Sequence, residues 1–172
     1  TFHAAHCTPH TTHYALYTLL TAHCTNCTLH KLHKLHKLNS MKMVEFGKKL
    51  AENHGLGNLE YRLGDIEAPP IDDNSVDLVI FSQALHHATH PQKSISAAHR
   101  MLKKGGKVIV LDLLQHSYEQ ARELYADTWL GFSEVELFGM MKKAKFKDIE
   151  TTIVDKECEA PHFQTLLATA TK

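Results

Sequence analysis

No glycine occurs before Gly47, and residues 1–40 also lack Val, Ile, Asp, Glu and Arg altogether. Those six residue types make up roughly a third of average protein sequence, so forty residues without one of them mark a compositional break. Charge of one sign is not in excess: 19 Lys and Arg face 19 Asp and Glu. That balance removes the electrostatic case for a nucleic-acid or membrane-surface partner. No apolar run approaches the roughly 18 residues that a bilayer span needs, the longest candidates being broken by Asp77 and Asp112. The first residues lack a basic segment followed by an apolar one, so they do not read as a signal peptide. Four cysteines, three of them within the first 27 residues, do not make a secreted disulfide framework. The class these absences leave is a cytoplasmic α/β or α+β domain.

What is present divides the 172 residues into two compositions within one domain's length. Residues 1–40 hold eight of the 15 histidines, with eight Thr, seven Leu and three of the four Cys. Residues 41–172 are ordinary and hold all eight glycines. The first segment reads as a sequence of different origin from the rest, standing where the first strands of the domain belong. Its repeat His30-Lys31-Leu32, continued through Leu38, has a period of three, matching neither helix nor strand. Residues 14–22 are apolar enough for a short helix or a strand, and too short to arbitrate.

From Met41 the chain alternates between helical and strand patterns. A helix is expected over 41–54, stopped by Gly55. Short alternation predicts a strand over 59–63, and Pro69-Pro70 with Asp72-Asp73-Asn74 predicts a loop. Residues 76–81 and 107–113 are near-continuous apolar runs, the mark of parallel strands buried on both faces. Pro91 suits the first turn of a helix running to Lys104, where Gly105-Gly106 would end it. A long helical region is expected over 117–145, broken near 131–133, with Ser133 and Glu136 as a capping box. Residues 147–155 and 163–171 read as two strands adjacent in sequence. The fold class is therefore α/β: a Rossmann-like, mainly parallel sheet with helices on both faces and an antiparallel C-terminal edge pair.

Three segments carry a resemblance. Gly64-Asp65-Ile66-Glu67, then Val76 to His87, then Leu102-Lys103-Lys104-Gly105-Gly106-Lys107-Val108 resemble class I S-adenosylmethionine-dependent methyltransferases. The likeness is to small-molecule-type domains, such as those fused to bacterial metal-responsive repressors, and covers roughly residues 39–172. It implies S-adenosylmethionine as cofactor, with Asp65 meeting the adenine amine and the Ile66 amide meeting the ring. Ser82 and Gln83 would border the methionine moiety and the substrate entrance, beyond the carboxyl ends of the strands. Unaided by the resemblance, Asp65 reads equally as a turn-capping residue. The family's glycine-rich turn falls near residues 15–21 and its ribose acid at Leu38; this chain has neither.

Substrate-side candidates follow from position: His86 and His87, with His90 nearby, after the central strand, and Asp112 and His116 after the next. Imidazoles there can orient a nucleophile, act as a base near neutral pH or bind a metal; the blander reading is exposed loop residues. Cys24 and Cys27 with His30, and Cys7 upstream, are ligand types that zinc accepts. Only one close pair exists, however, and biased composition makes such residues common, so no specific metal is expected beyond loose binding by histidines. Tyr125, Trp129, Phe132 and Phe138 read as core packing or a lid, Lys142 to Lys147 as a solvated helix end, and Cys158 as an inert thiol. Two functions are carried forward. One is methyl transfer to a small molecule, impaired by the missing glycine motif. The alternative is a non-enzymatic scaffold with a metal-binding N-terminal segment. Without its first two strands the sheet would expose an apolar strand edge. Either residues 1–38 supply surrogate strands, or the chain dimerises.

Overall fold

A computed structural model of the chain describes residues 18–25, 28–36, 41–57 and 59–172, with side chains from Val44 onward. In chain order the elements are β1 (Thr18–Thr25), β2 (Thr28–His36), α1 (Met41–Asn53), β3 (Leu59–Leu63) and β4 (Val76–Ser82). A one-turn 3-10 helix follows at Leu85–His87, then α2 (Pro91–Met101), β5 (Leu102–Leu113), α3 (Ala121–Leu124), α4 (Glu134–Lys143), β6 (Lys147–Lys156) and β7 (Gln164–Thr171). The strands form one sheet in the order β3-β2-β1-β4-β5-β7-β6. Strands β2, β3, β4, β5 and β6 point one way, and β1 and β7 run against them. The C-terminal β7–β6 pair is antiparallel, with β6 at the edge.

The reversal of β1 has a simple cause. Two residues separate it from β2, enough for a hairpin, whereas a parallel neighbour needs a crossover of a dozen or more. The Leu19↔Phe81 to Ala22↔Leu78 register lays β1 along β4 and leaves Thr18 opposite Ser82, at the carboxyl end of β4. The His-Lys-Leu repeat from His30 to His36 lies in β2, paired on its other side with β3.

The core is where the apolar runs placed it. Val76, Val79 and Phe81 of β4 and Val108 and Val110 of β5 are fully buried. Ile95, Ala98 and Met101 of α2 and Leu137 and Met141 of α4 close over them with Leu166 and Ala168 of β7. Each large apolar side chain so buried contributes about 1.5–3 kcal/mol.

Two expectations need correction. Helix α2 ends at Met101, not Lys104, because the amides of Asn74 and Ser75 take the carbonyls of Arg100 and Met101 at 3.0 and 2.8 Å. The chain turns directly into β5, and the two glycines form an irregularity within that strand instead of a helix stop. Gly105 sits at φ +79°, and a Cβ on Gly106 would lie 3.0 Å from the Asp77 and Lys103 carbonyl oxygens. The region 117–133 is mostly loop, with only α3 helical. Its backbone bonds go elsewhere: Trp129 N to His86 O at 2.8 Å, His116 N to Leu130 O at 2.9 Å, and Phe132 N to Leu113 O at 2.9 Å. The start of a new helix at the Ser133–Glu136 capping box is as expected, with both reciprocal hydrogen bonds formed.

Candidate functional site

The order of the sheet reverses between β1 and β4, and ligands in open α/β sheets bind beyond the carboxyl ends of strands at such a point. Here β4 ends at Ser82, and Gln83 adopts φ +48°, a left-handed conformation costly for a side chain of its kind, held by Gln83 N to Leu111 O at 2.8 Å. The 3-10 turn then lifts Leu85 into the core and His86 and His87 above it. A cleft of about 560 Å³ opens beside them, lined by Ser82, Gln83, His86, His87, Tyr125, Asp127, Glu157, Phe163 and Thr165 among others.

Asp112, expected to face this cleft, does not line it. It is fully buried beneath the turn, where its carboxylate accepts from Ala84 N at 3.3 Å, Leu85 N at 2.8 Å, Leu113 N at 2.8 Å and His86 Nδ1 at 2.6 Å. It acts on the cleft only through His86. Burial alone would push the His86 imidazolium down, but Asp112 at Nδ1 and Asp127, 3.5 Å from Nε2, outweigh it, and the ring is pushed up to about 9. His87, stacked on it at 3.8 Å, goes the other way. Burial and repulsion by His86 push it down to about 4, against the Ala126 carbonyl and Asp127. Both rings thus meet Asp127, whose side chain is only 2% exposed.

The other candidates separate. His90 is exposed and turned to Glu67, whose Oε1 accepts its backbone N–H at 2.6 Å and whose Oε2 lies 3.0 Å from its Nδ1. His116 packs against Phe163, ring centroids 4.6 Å apart, and lines a smaller neighbouring pocket of about 110 Å³, which His86 and His87 do not line. Burial pushes its imidazolium down. Asp65 is exposed just after β3 and caps a turn, Oδ1 accepting from Glu67 N at 2.9 Å, while the Ile66 side chain is buried. Tyr125 lines the cleft, Phe132 is buried, and Trp129 donates Nε1–H to Ala88 O at 2.9 Å. Cys158 is exposed. Cys7 and Cys27 lie outside the described residues, as do the side chains of Cys24 and His30. Asp127 escaped the sequence reading; its signal was an acid set inside the aromatic stretch from Tyr125 to Trp129.

The sheet order, the switch point and the cleft define a doubly wound α/β domain with a cleft at the carboxyl edge of β4. Residues 22–110 match the methyltransferase domain family, so the chain belongs to that family, whose methyl donor is S-adenosylmethionine. It is 34% identical over 84 residues to a ubiquinone/menaquinone biosynthesis C-methyltransferase of Ruegeria, an alignment covering 48% of this chain and 34% of that protein. The chain thus spans about a third of the length of the curated relatives it matches. Among solved structures it resembles the YcgJ protein of Bacillus subtilis, with TM-score 0.65, 14% identity, and 83% and 82% of the two chains covered. A SAM-dependent methyltransferase from Aquifex aeolicus gives TM-score 0.58 at 16% identity, over 81% and 68%.

The residues that the resemblance assigns to the cofactor lie at the carboxyl ends of two parallel strands. Asp65 and Ile66 follow β3, and Ser82 ends β4 with Gln83 next, on one edge of the sheet, with the cleft beside the second pair. Of the positions expected for the glycine-rich turn, 18–21 lie in β1, while 15–17 and the ribose-acid position 38 lie outside the described residues. No helix among the described residues is long and apolar enough to cross a membrane.

Proposed function

We infer that this chain transfers a methyl group from S-adenosylmethionine to a small polar molecule held in the cleft beside β4. The observation that carries the reading is the cleft, about 560 Å³ at the carboxyl edge of a methyltransferase-family sheet. That volume suits a small molecule. Asp65 and the Ile66 amide are assigned to the adenine, and Ser82 and Gln83 to the methionine flank. The cofactor supplies a methyl carbon activated by its sulfonium charge.

The chain's own residues hold the acceptor and exclude water. Tyr125, Pro161 and Phe163 give the cleft its apolar wall; His86, His87, Asp127 and Glu157 give it polar atoms. Asp112 is a positioning residue that fixes His86 and the Ala84–Leu85 amides. Alignment of donor and acceptor supplies most of the rate when the acceptor is already nucleophilic. The Ruegeria relative is a C-methyltransferase of quinone biosynthesis. The polar wall of this cleft points instead to an acceptor with a hydrogen-bonding or anionic heteroatom.

The test is transfer of methyl-labelled donor in the presence of a metabolite extract, followed by ultrafiltration. Label in the small-molecule filtrate, dependent on the protein, is the expected result. Label confined to macromolecules, or no transfer at all, contradicts the reading.

A further inference from the structure

His86 Nε2, His87 Nε2 and Asp127 Oδ1 converge at one wall of the cleft, and we propose that they bind a divalent transition-metal cation of the zinc, cobalt or iron(II) class. The three atoms lie within 4.8 Å of one another. Asp127 Oδ1 is 3.5 Å from His86 Nε2 and 3.6 Å from His87 Nε2. Two ligands about 2.0–2.1 Å from a tetrahedral zinc are about 3.4 Å apart, so the atoms are near coordinating positions.

The surroundings orient these donors. A carbonyl only accepts, so the 3.2 Å contact of His87 Nδ1 with Ala126 O puts the hydrogen on Nδ1 and, in the neutral ring, the lone pair on Nε2. His86 Nδ1 donates to the Asp112 carboxylate, the arrangement that fixes a metal-bound imidazole and raises its basicity. The side chains of His86, His87 and Asp127 are 5%, 8% and 2% exposed. Asp127 Oδ1 is buried and meets the two imidazole nitrogens only at 3.5 and 3.6 Å, too far for a well-formed hydrogen bond and wide enough for a cation to bridge all three. A divalent cation there displaces the His86 Nε2 proton and takes its place between the Asp112 and Asp127 carboxylates.

Three protein ligands leave a tetrahedral cation one open position. All three residues line the cleft, so that position faces it and takes water or the anionic heteroatom of a bound molecule. Only this last role rests on the methyl-acceptor reading; capture of the cation does not. Glu157 and Glu159, which share the cleft, favour entry of a cation.

The test uses the full chain after chelator treatment, titrated with Co²⁺ by visible absorption and with Zn²⁺ by calorimetry. One tight equivalent with a four-coordinate Co²⁺ spectrum is expected, above loose binding by the eight histidines of residues 1–40. Asp127→Asn and His87→Gln should each weaken that equivalent at least about tenfold and leave the loose binding unchanged. Equal tight binding in both variants, or no tight equivalent in the unaltered chain, overturns the proposal. Azide should shift the Co²⁺ spectrum, and an unshifted spectrum overturns the open position. None of these readouts depends on S-adenosylmethionine or turnover, so failure here and failure of the methyl-transfer reading are distinguishable.

Discussion

Asp112 accepts four hydrogen bonds while wholly excluded from solvent, and three of its donors belong to the turn that carries His86. Asp112→Asn turns an amide toward those donors and removes the charge that partners His86. A loss of about 3–5 kcal/mol in urea unfolding is expected, the scale of breaking a buried ion pair. A loss below 1 kcal/mol would show that the carboxylate does not hold the turn. The burial of Asp112 was legible in the sequence. Strand residues two apart share a face, so Val108, Val110 and Asp112 belong together, and the structure buries all three. Position at a strand end pointed to the cleft, and alternation pointed to the core; alternation decided. Asp127 was not legible in the same way. Its meeting with His86 and His87 depends on a loop bonded to residues about 40 positions away in sequence.

At the scale of elements, the helices and strands from Met41 follow local pattern wherever local hydrogen bonds suffice. They depart from it where distant backbone competes, as at 117–133 and the end of α2. Gly131 shows the competition most sharply: φ is +76°, and a Cβ there would lie 2.6 Å from the carbonyl oxygens of both Leu113 and Leu114. Gly131→Ala should therefore cost on the order of 2–3 kcal/mol, read from thermal unfolding. An unchanged melting temperature would mean the loop does not press against β5. Glu67 ties the loop after β3 to the start of α2 through His90, with Lys93 3.9 Å away. Burial raises its carboxyl pKa, but the His90 hydrogen bonds and the charges of His90 and Lys93 leave it below the ordinary value. A group depressed in the folded state stabilises above its unfolded pKa, and that stability is lost as pH falls through the folded pKa. Glu67→Gln should thus lower the melting temperature at pH 7 and cease to differ from the parent once pH has fallen through the depressed folded pKa. A difference constant across that range would assign the loss to packing instead of charge.

For the whole molecule, the resemblance from Asn39 onward and the family match from residue 22 meet in a sheet whose strand order is complete but whose β1 is reversed. The apolar runs named the central strands, though alternate residues such as Val79 and Phe81 are fully buried while Leu78 and Ile80 between them are only half-buried. The hairpin left no mark in sequence, since neither a period of three nor a run as short as 14–22 selects a partner. If β1 covers β4 as the register shows, amides of Leu78 to Phe81 should exchange as slowly as those of Val108 and Val110. Exchange at loop rates there would mean that β4 is an edge. Methyl transfer requires this sheet to hold S-adenosylmethionine without a glycine before Gly47. Isothermal titration with S-adenosylhomocysteine tests it most directly, run in parallel on Asp65→Asn, which keeps the Oδ1 turn to Glu67 N but loses the charge. The expected result is saturable one-to-one binding below about 1 mM ligand, weakened by about 1–3 kcal/mol in the variant. Absence of heat up to that concentration in the unaltered chain would contradict the account and leave a methyltransferase fold that does not bind its family's cofactor.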